Sequence, residues 1–352
     1  MSTITAPARR NLYTAGKLPG WTMPVVLAAA LILTGLLFAA LGTFGLAQVV
    51  ICGAILFTVA MVLISGAVEG SRKAKDRLAT ILVTSAFCLA LLPLVSVVFE
   101  AVSQGIPRFD LQFFTYSMRS IVGAGGGAVH AITGTLWTTG IAAVISVPIG
   151  ILAAIYLVEY GRGRLAKGIT FFVDVMTGIP SIVAGLFAYA LFVIIFGPGT
   201  KTALAGAVAL SVLMIPIVVR AAEEMLRLVP NELREASYAL GVPKWRTVVR
   251  VVLPTSLAGL ITGVMLAVAR VIGETAPLLI ASGFTQSMNT NPVSGPMMTL
   301  PVFVFRSYAD QGQDAQAYLD RAWTGALTLI LIVMLLNLTA RLIASRFAPK
   351  GQ

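Results

Sequence analysis

Charge is scarce in this chain. Asp, Glu, Lys and Arg make up 11% of the residues and hydrophobic residues 58%, where a soluble domain carries about a quarter charged. That imbalance excludes an ordinary water-soluble globule and predicts an all-α polytopic membrane protein. Histidine is nearly missing too: the single one, His130, cannot assemble a metal site alone, and no function is assigned to it. The two cysteines, Cys52 and Cys88, fall in separate apolar runs, which predicts small buried hydrophobes rather than a disulfide or redox pair. A P-loop is absent as well. The only Lys followed by Ser or Thr is Lys201, and Thr200 rather than Gly precedes it. The glycine-rich stretch from 123 to 127 has no strand before it and reads as a flexible lead-in to a span. No catalytic residue, cofactor or metal is expected, and ATP-driven work would have to draw on a partner chain.

Apolar runs are what the chain has in abundance. A helix needs roughly 20 apolar residues to cross the bilayer core, and such runs lie near 22–41, 44–66, 78–99, 131–158, 169–196, 202–219, 255–282 and 322–343. The first is too long for a signal-peptide apolar region and leads straight into the second, so it is expected to be retained. Basic residues fall mostly on one side of these runs. With the N-terminus inside, the opposite side holds only Arg108, Arg119, Lys201, Arg306 and Arg321 of the 25 Lys and Arg, and Arg270 lies within a run. Both termini are therefore expected in the cytoplasm. The net charge of +11 is spread over these flanking loops, which argues against nucleic acid as a partner. The expected organisation is a cytoplasmic tail at 1–21, an extra helix pair with a basic loop at 22–77, a helix and outer loop at 78–129, a transport domain at 130–341 and a cytoplasmic tail at 342–352.

The polar segment from 231 to 254 is the most specific. Asn231 is a suitable N-cap for a helix starting at Glu232, and Leu233, Ala236 and Leu240 share one helical face. Gly241 suits a left-handed stop, with Pro243 beyond it. In the helix that follows, Trp245, Val248, Val249 and Val252 form an apolar face opposite Arg246 and Arg250. Glu235, Ala236, Ser237, Gly241, Val251, Leu253 and Pro254 match the spaced EAA signature, with Ser for the second Ala and Val for an Ile. The segment therefore resembles the cytoplasmic loop of ABC importer permeases. That resemblance implies a coupling helix docked on a separate ATPase.

The seventh run carries the chemistry. Arg270 sits near its middle and Glu274 one turn later on the same face, and a charge at that depth should meet a cavity or partner rather than lipid. Arg270 keeps its proton and presents a planar donor fork suited to an oxyanion, while Glu274 offsets the cost of its charge. Pro277 predicts a kink beside the pair. Arg220, one turn after Pro216, is a second candidate for the pathway. Asp174 is expected to be buried with a hydrogen-bond partner.

Several further runs, among them IPSIVAGLFAY, ARVIGETAPLL and LPVFVF, appear in an order similar to the membrane subunits of phosphate-specific ABC importers, over 130–341. The resemblance implies a six-helix type I permease core preceded by two extra N-terminal helices, about eight transmembrane helices in all, in a bacterial cell membrane. It implies inorganic phosphate as substrate, a PstC-like second permease, a PstB-like ATPase dimer and a PstS-like extracytoplasmic phosphate-binding protein. It also implies pathway roles for Arg220, Arg270 and Glu274. The outer segments 101–129 and 283–320, with Phe113, Phe114, Tyr116, Tyr308 and Tyr318, are expected either to receive the binding protein or to anchor the chain at the membrane interface. A permease for sulfate, molybdate or phosphonate and a gradient-driven anion transporter are the alternatives.

Overall fold

Described in a computed structural model, residues 16–347 are helical with connecting loops and no strand among them. Of the tails expected at 1–21 and 342–352, residues 1–15 and 348–352 lie outside the described part. The helices are α1 (Thr22–Ala40), α2 (Leu46–Val68), α3 (Ser71–Gly105), α4 (Leu111–Thr115), α5 (Val129–Ile155), α6 (Arg164–Thr177), α7 (Ser181–Phe196), α8 (Ala203–Arg227), α9 (Asn231–Ala239), α10 (Lys244–Thr247), α11 (Leu253–Val271), α12 (Ala276–Ala281), α13 (Leu300–Ala309) and α14 (Ala315–Phe347). Wider π-type turns extend α5 over Tyr156–Tyr160 and join α10 to α11 over Val248–Val252. Among the described residues, seven helices are long and apolar enough to cross a membrane, and eight spans result if the bent pair α6–α7 counts as one.

The chain divides into two compact units at Val98 and Phe99. In the first, α1 and α2 form a helical hairpin. Gly53 admits the Leu31 side chain, and the Thr34 hydroxyl reaches back to the Ala30 carbonyl at 2.9 Å and across to Val49 at 3.3 Å. Glu69 caps this unit. Its carboxylate accepts hydrogen bonds from Arg77 (2.7 and 3.0 Å), Ser65 (2.9 Å) and the Leu18 amide (2.9 Å), and the Arg77 bonds lead in holding its carboxyl down at about 2. The helix expected from residue 78 begins at Ser71, so the basic stretch around Lys73 is helical rather than loop.

The second unit is built around α5 and α8. Small side chains at Ala142 and Ala207 let Leu210, Met214 and Val218 interlock with α11 residues Ala267 and Val271, close packing of the kind that holds helices together in lipid. Large apolar side chains point outward instead, among them Leu136, Val144, Phe171, Phe187 and Ile194. This inverted pattern corrects the expectation for cysteine: Cys52 and Cys88 are both exposed, because an apolar residue on a spanning helix meets lipid as readily as protein.

Two expected spans are interrupted. The fifth run bends by 108° between α6 and α7, where Pro180 disfavours helical backbone at Ile179. The seventh was expected to kink at Pro277. It breaks outright: α11 ends at Val271 and α12 starts afresh at Ala276. Pro277, without an N–H, sits in the first turn of the new helix, where that donor has no helical partner to lose. The two elbows touch, since a Cβ on Gly185 of α7 would lie 2.5 Å from the Pro277 Cα.

Candidate functional site

The 231–254 segment folds as two short helices joined by a tight turn. Pro230, not Asn231, takes the cap position, and Asn231 is already the first helical residue. Proline fits there because it needs no backbone partner for an N–H. Gly241 adopts φ +73°. Its amide bonds to the Tyr238 carbonyl (2.9 Å) and that of Val242 to the Ser237 carbonyl (3.2 Å), the double bond pattern of a glycine-stopped helix. Ser237 and Thr247 hydroxyls, both buried, bond across the turn at 2.8 Å.

The apolar faces point differently from expectation. Leu233, Ala236 and Leu240 are all exposed, as are Glu235, Trp245 and Val249; only Val248 and Val252 of the second face turn inward. Leu253 packs against the cluster of Ala154, Leu226 and Val229, Val251 is half-buried, and Pro254 opens α11 with its ring exposed. An exposed apolar strip on a polar loop is a partner-binding feature.

What fixes the loop was not read from the sequence. Arg234 donates to Glu159 at 2.9–3.0 Å and to the carbonyls of Leu226 (2.9 Å) and Val229 (2.5 Å). Lys244 donates to the Glu159 carbonyl and lies 5.0 Å from the centre of the Tyr160 ring. The loop is thus clamped to the far end of α5. The available signal was Glu159 itself, a lone acid closing a long apolar run.

Arg270 and Glu274 form an ion pair and line a cavity of ≈ 250 Å³ with Met176, Ser181 and Pro216. Both helix breaks and the proline of α8 therefore meet at one place. Arg270 lies in the last turn of α11 rather than mid-helix, with its side chain 63% exposed, and Glu274 lies within the break. Arg220 does not line this cavity. It pairs with Asp174 of α6 and with Glu223 at 2.9 Å, and Glu223 also receives Arg227 at 2.5 Å. Asp174 has its expected partner but is exposed rather than buried, since it sits on the open side of α6.

Residues 146–350 match the family model for the binding-protein-dependent transport system inner membrane component. Two similar relatives are the phosphate transport system permease protein PstA 1 of Mycobacterium tuberculosis (strain CDC 1551 / Oshkosh), 45% identical over 77% of this chain and 89% of that protein, and PstA of Yersinia pestis, 40% identical over 78% and 92%. This chain belongs to the PstA permease family. Among solved structures, a bacterial alginate ABC transporter in complex with a periplasmic protein aligns with a TM-score of 0.58 and 12% identity over 79% of this chain and 97% of its own. The MetNI methionine ABC transporter aligns with a TM-score of 0.50 and 21% identity over 63% and 95%. Both show that the PstA-family chain has the ABC importer permease fold.

The outer segments are less uniform than their aromatic content suggests. Phe113 is fully buried and packs on Phe114 and Phe303, whereas Tyr116 and Tyr308 are exposed. The glycine stretch 123–127 is tied down rather than flexible: Arg108 donates to the Gly126 carbonyl (2.8 Å), and Arg321 to those of Gly123 (2.6 Å) and Gly125 (3.0 Å).

Proposed function

We propose that this chain is a permease subunit of an ATP-driven inorganic phosphate importer. The observation that carries this reading is the outward apolar strip of Leu233, Ala236, Leu240, Trp245 and Val249, held by the Arg234–Glu159 clamp. Such a strip, rigidly mounted, suits the groove of a PstB-like ATPase dimer. Glu235, Ser237, Gly241, Val251, Leu253 and Pro254 shape the loop that presents it.

From Lys244 the helix runs unbroken to Val271, 28 residues or about 40 Å at 1.5 Å each. A displacement of the loop thus reaches Arg270 through one stiff element. Arg270 offers two oxygens of a phosphate a planar fork, and Glu274 keeps it from holding the anion too tightly. Arg220, tied to Asp174 and Glu223, is the second pathway cation. The transport domain spans 130–341, and a PstC-like permease completes the passage. A PstS-like binding protein delivers phosphate to 101–129 and 283–320, and both termini lie in the cytoplasm, as the basic side of the chain requires.

Proteoliposomes holding this chain with its partner subunits should take up phosphate only with ATP inside the compartment that contains the ATPase. Uptake driven by an ion gradient without ATP would refute the importer reading, and preference for sulfate, molybdate or phosphonate would refute the substrate. Cysteines near Lys73 should resist an impermeant thiol reagent applied outside, and cysteines at 102–118 should react; the reverse would refute the orientation.

A further inference from the structure

A small cavity of ≈ 150 Å³, whose wall is about half apolar, has as its polar lining His130, Gln286, Arg306, Ser307, Asp310 and Arg321, beside aromatic and methionine side chains such as Phe303 and Met118. It shares no lining residue with the cavity that holds Arg270. His130 lies in the first turn of α5, whereas the coupling loop is clamped to Glu159 beyond the other end of that 27-residue helix. At 1.5 Å per residue the two places are about 40 Å apart along the helix.

Arg321 is 1% exposed. Nη1 is spent on the carbonyls of Gly123 and Gly125, and the guanidinium lies 4.4 Å from the centre of the Tyr318 ring. Nε and Nη2 have no hydrogen-bond partner among the described residues. These two atoms form one edge of the guanidinium, the edge that binds two oxygens of an anion side by side. His130 is 2% exposed, and neither of its ring nitrogens has a partner among the described residues either. Buried donors without acceptors are strongly disfavoured, and here two such side chains line one cavity.

The charges on the wall favour an anion. Asp310 is the one carboxylate lining it, and Arg306 already pairs with it at 2.6 Å. Asp314 and Asp320 act on Arg321 from nearby, but their carboxylates take hydrogen bonds from the Ala317 amide (3.3 Å) and the Gln316 side chain (2.7 Å). Both keep their charge and Arg108 opposes them, but no carboxylate hydrogen-bonds to the Arg321 guanidinium among the described residues. One water needs about 10–15 Å³ of such space, so a tetrahedral oxyanion fits with room for waters beside it.

We propose that this cavity is an oxyanion site for inorganic phosphate, at the opposite end of α5 from the ATPase-docking loop; this rests on the importer reading above. The Nε–Nη2 edge of Arg321, closed to solvent in this conformation, turns onto two phosphate oxygens when the anion enters, and Ser307 and Gln286 supply further polar contacts. Phosphate near neutral pH keeps a proton that sulfate lacks, and a neutral His130 nitrogen or the Asp310 carboxylate accepts it. The site is therefore expected to prefer phosphate to sulfate.

The test uses the full chain assembled with its partner subunits in nanodiscs, without binding protein, in an Arg270→Gln background that weakens the central cavity. Equilibrium binding of radiolabelled inorganic phosphate should persist there and resist competition by sulfate. His130→Leu and Ser307→Ala should each weaken it, His130→Leu by about tenfold, as expected for one lost polar contact to an anion. Arg321→Lys should abolish it. Because Arg321 also anchors the glycine stretch, His130→Leu is the decisive variant: it leaves the Gly123 and Gly125 bonds intact and keeps an apolar contact with Phe303. Absence of phosphate binding in the background, or unchanged affinity in both His130→Leu and Ser307→Ala, would overturn the proposal. So would unchanged phosphate affinity with loss of binding-protein capture, which would mean that a partner's carboxylate fills the cavity. ATP-dependent phosphate uptake by the wild-type complex separates the two readings: uptake with unaltered binding in the variants rejects this site alone, whereas no uptake of phosphate rejects the importer assignment.

Discussion

The two ends of α5 handle charge in opposite ways. At the Glu159 end every buried charge has a partner: Arg234 takes the carboxylate and two carbonyls, and Lys244 takes the Glu159 carbonyl. At the His130 end, buried polar groups have no partner among the described residues, on His130 itself and on one edge of Arg321. A satisfied cluster holds a shape, while an unsatisfied one is complete only with something else bound. The first kind therefore suits a mechanical mount and the second a receptor for a small polar ligand.

The largest effect should come from unbalancing the mount. Arg234→Met leaves the Glu159 carboxylate, 4% exposed, without its cation, and breaking a buried pair in this way costs about 3–5 kcal/mol. Thermal unfolding of the purified complex should fall, and ATPase should be lost on co-purification. The double variant Arg234→Met with Glu159→Leu should recover much of the stability. If it melts no higher than the single variant, the pair does not act as a clamp.

Gly241→Val should come next. No other residue lies within 4 Å of a Cβ built there, so only the positive φ opposes a side chain, at about 1–3 kcal/mol for a β-branched residue. Gly241→Asn should be milder, because asparagine tolerates that conformation. ATPase recovery in the order glycine, asparagine, valine is expected. Equal recovery for all three would show that the turn does not govern docking.

Arg270→Lys keeps the charge and loses the fork. Phosphate uptake should drop about tenfold or more with normal complex yield, and Arg270→Gln should do worse. Rescue by Arg270→Gln with Glu274→Gln would instead make the pair structural.

The smallest effect concerns Glu69, which like Glu159 is paired with an arginine. Its carboxyl is held at about 2 against its usual 4.5, so its stabilising contribution is complete above about pH 4.5 and is lost as pH falls through about 2. Hydrogen exchange at the α2–α3 turn should rise on acidification over that window, and Glu69→Gln should flatten the response. A wild-type turn whose exchange does not change across the window would show that Glu69 does not secure it.

Hydrophobicity made the spans legible, since a run of apolar residues long enough to cross a bilayer has few other uses. Spacing made the helix-turn-helix of 231–254 legible, because Gly241 and its neighbours obey local backbone rules. The two breaks were half visible: Pro180 and Pro277 mark them, but a proline states only where a helix cannot continue, not whether it bends or stops. Partnering was invisible. Arg270 and Arg321 look alike in sequence, one inside an apolar run and one at its edge, yet the deeper-looking one is 63% exposed and the other 1%. Burial of a single charge depends on which loops fold over it, here the glycine stretch almost 200 residues earlier. Cys52, Cys88 and Asp174 were misjudged for the related reason that an apolar run does not say which of its faces meets protein.

The contact between Gly185, early in α7, and Pro277, in the first turn of α12, joins the two interrupted helices close to their breaks. Gly185 leaves no room for a side chain between the two, so α7 cannot move toward the start of α12 without displacing it. A Gly185→Ala change would therefore wedge two interrupted helices apart beside the Arg270 cavity, a small substitution with its effect at the point where both meet.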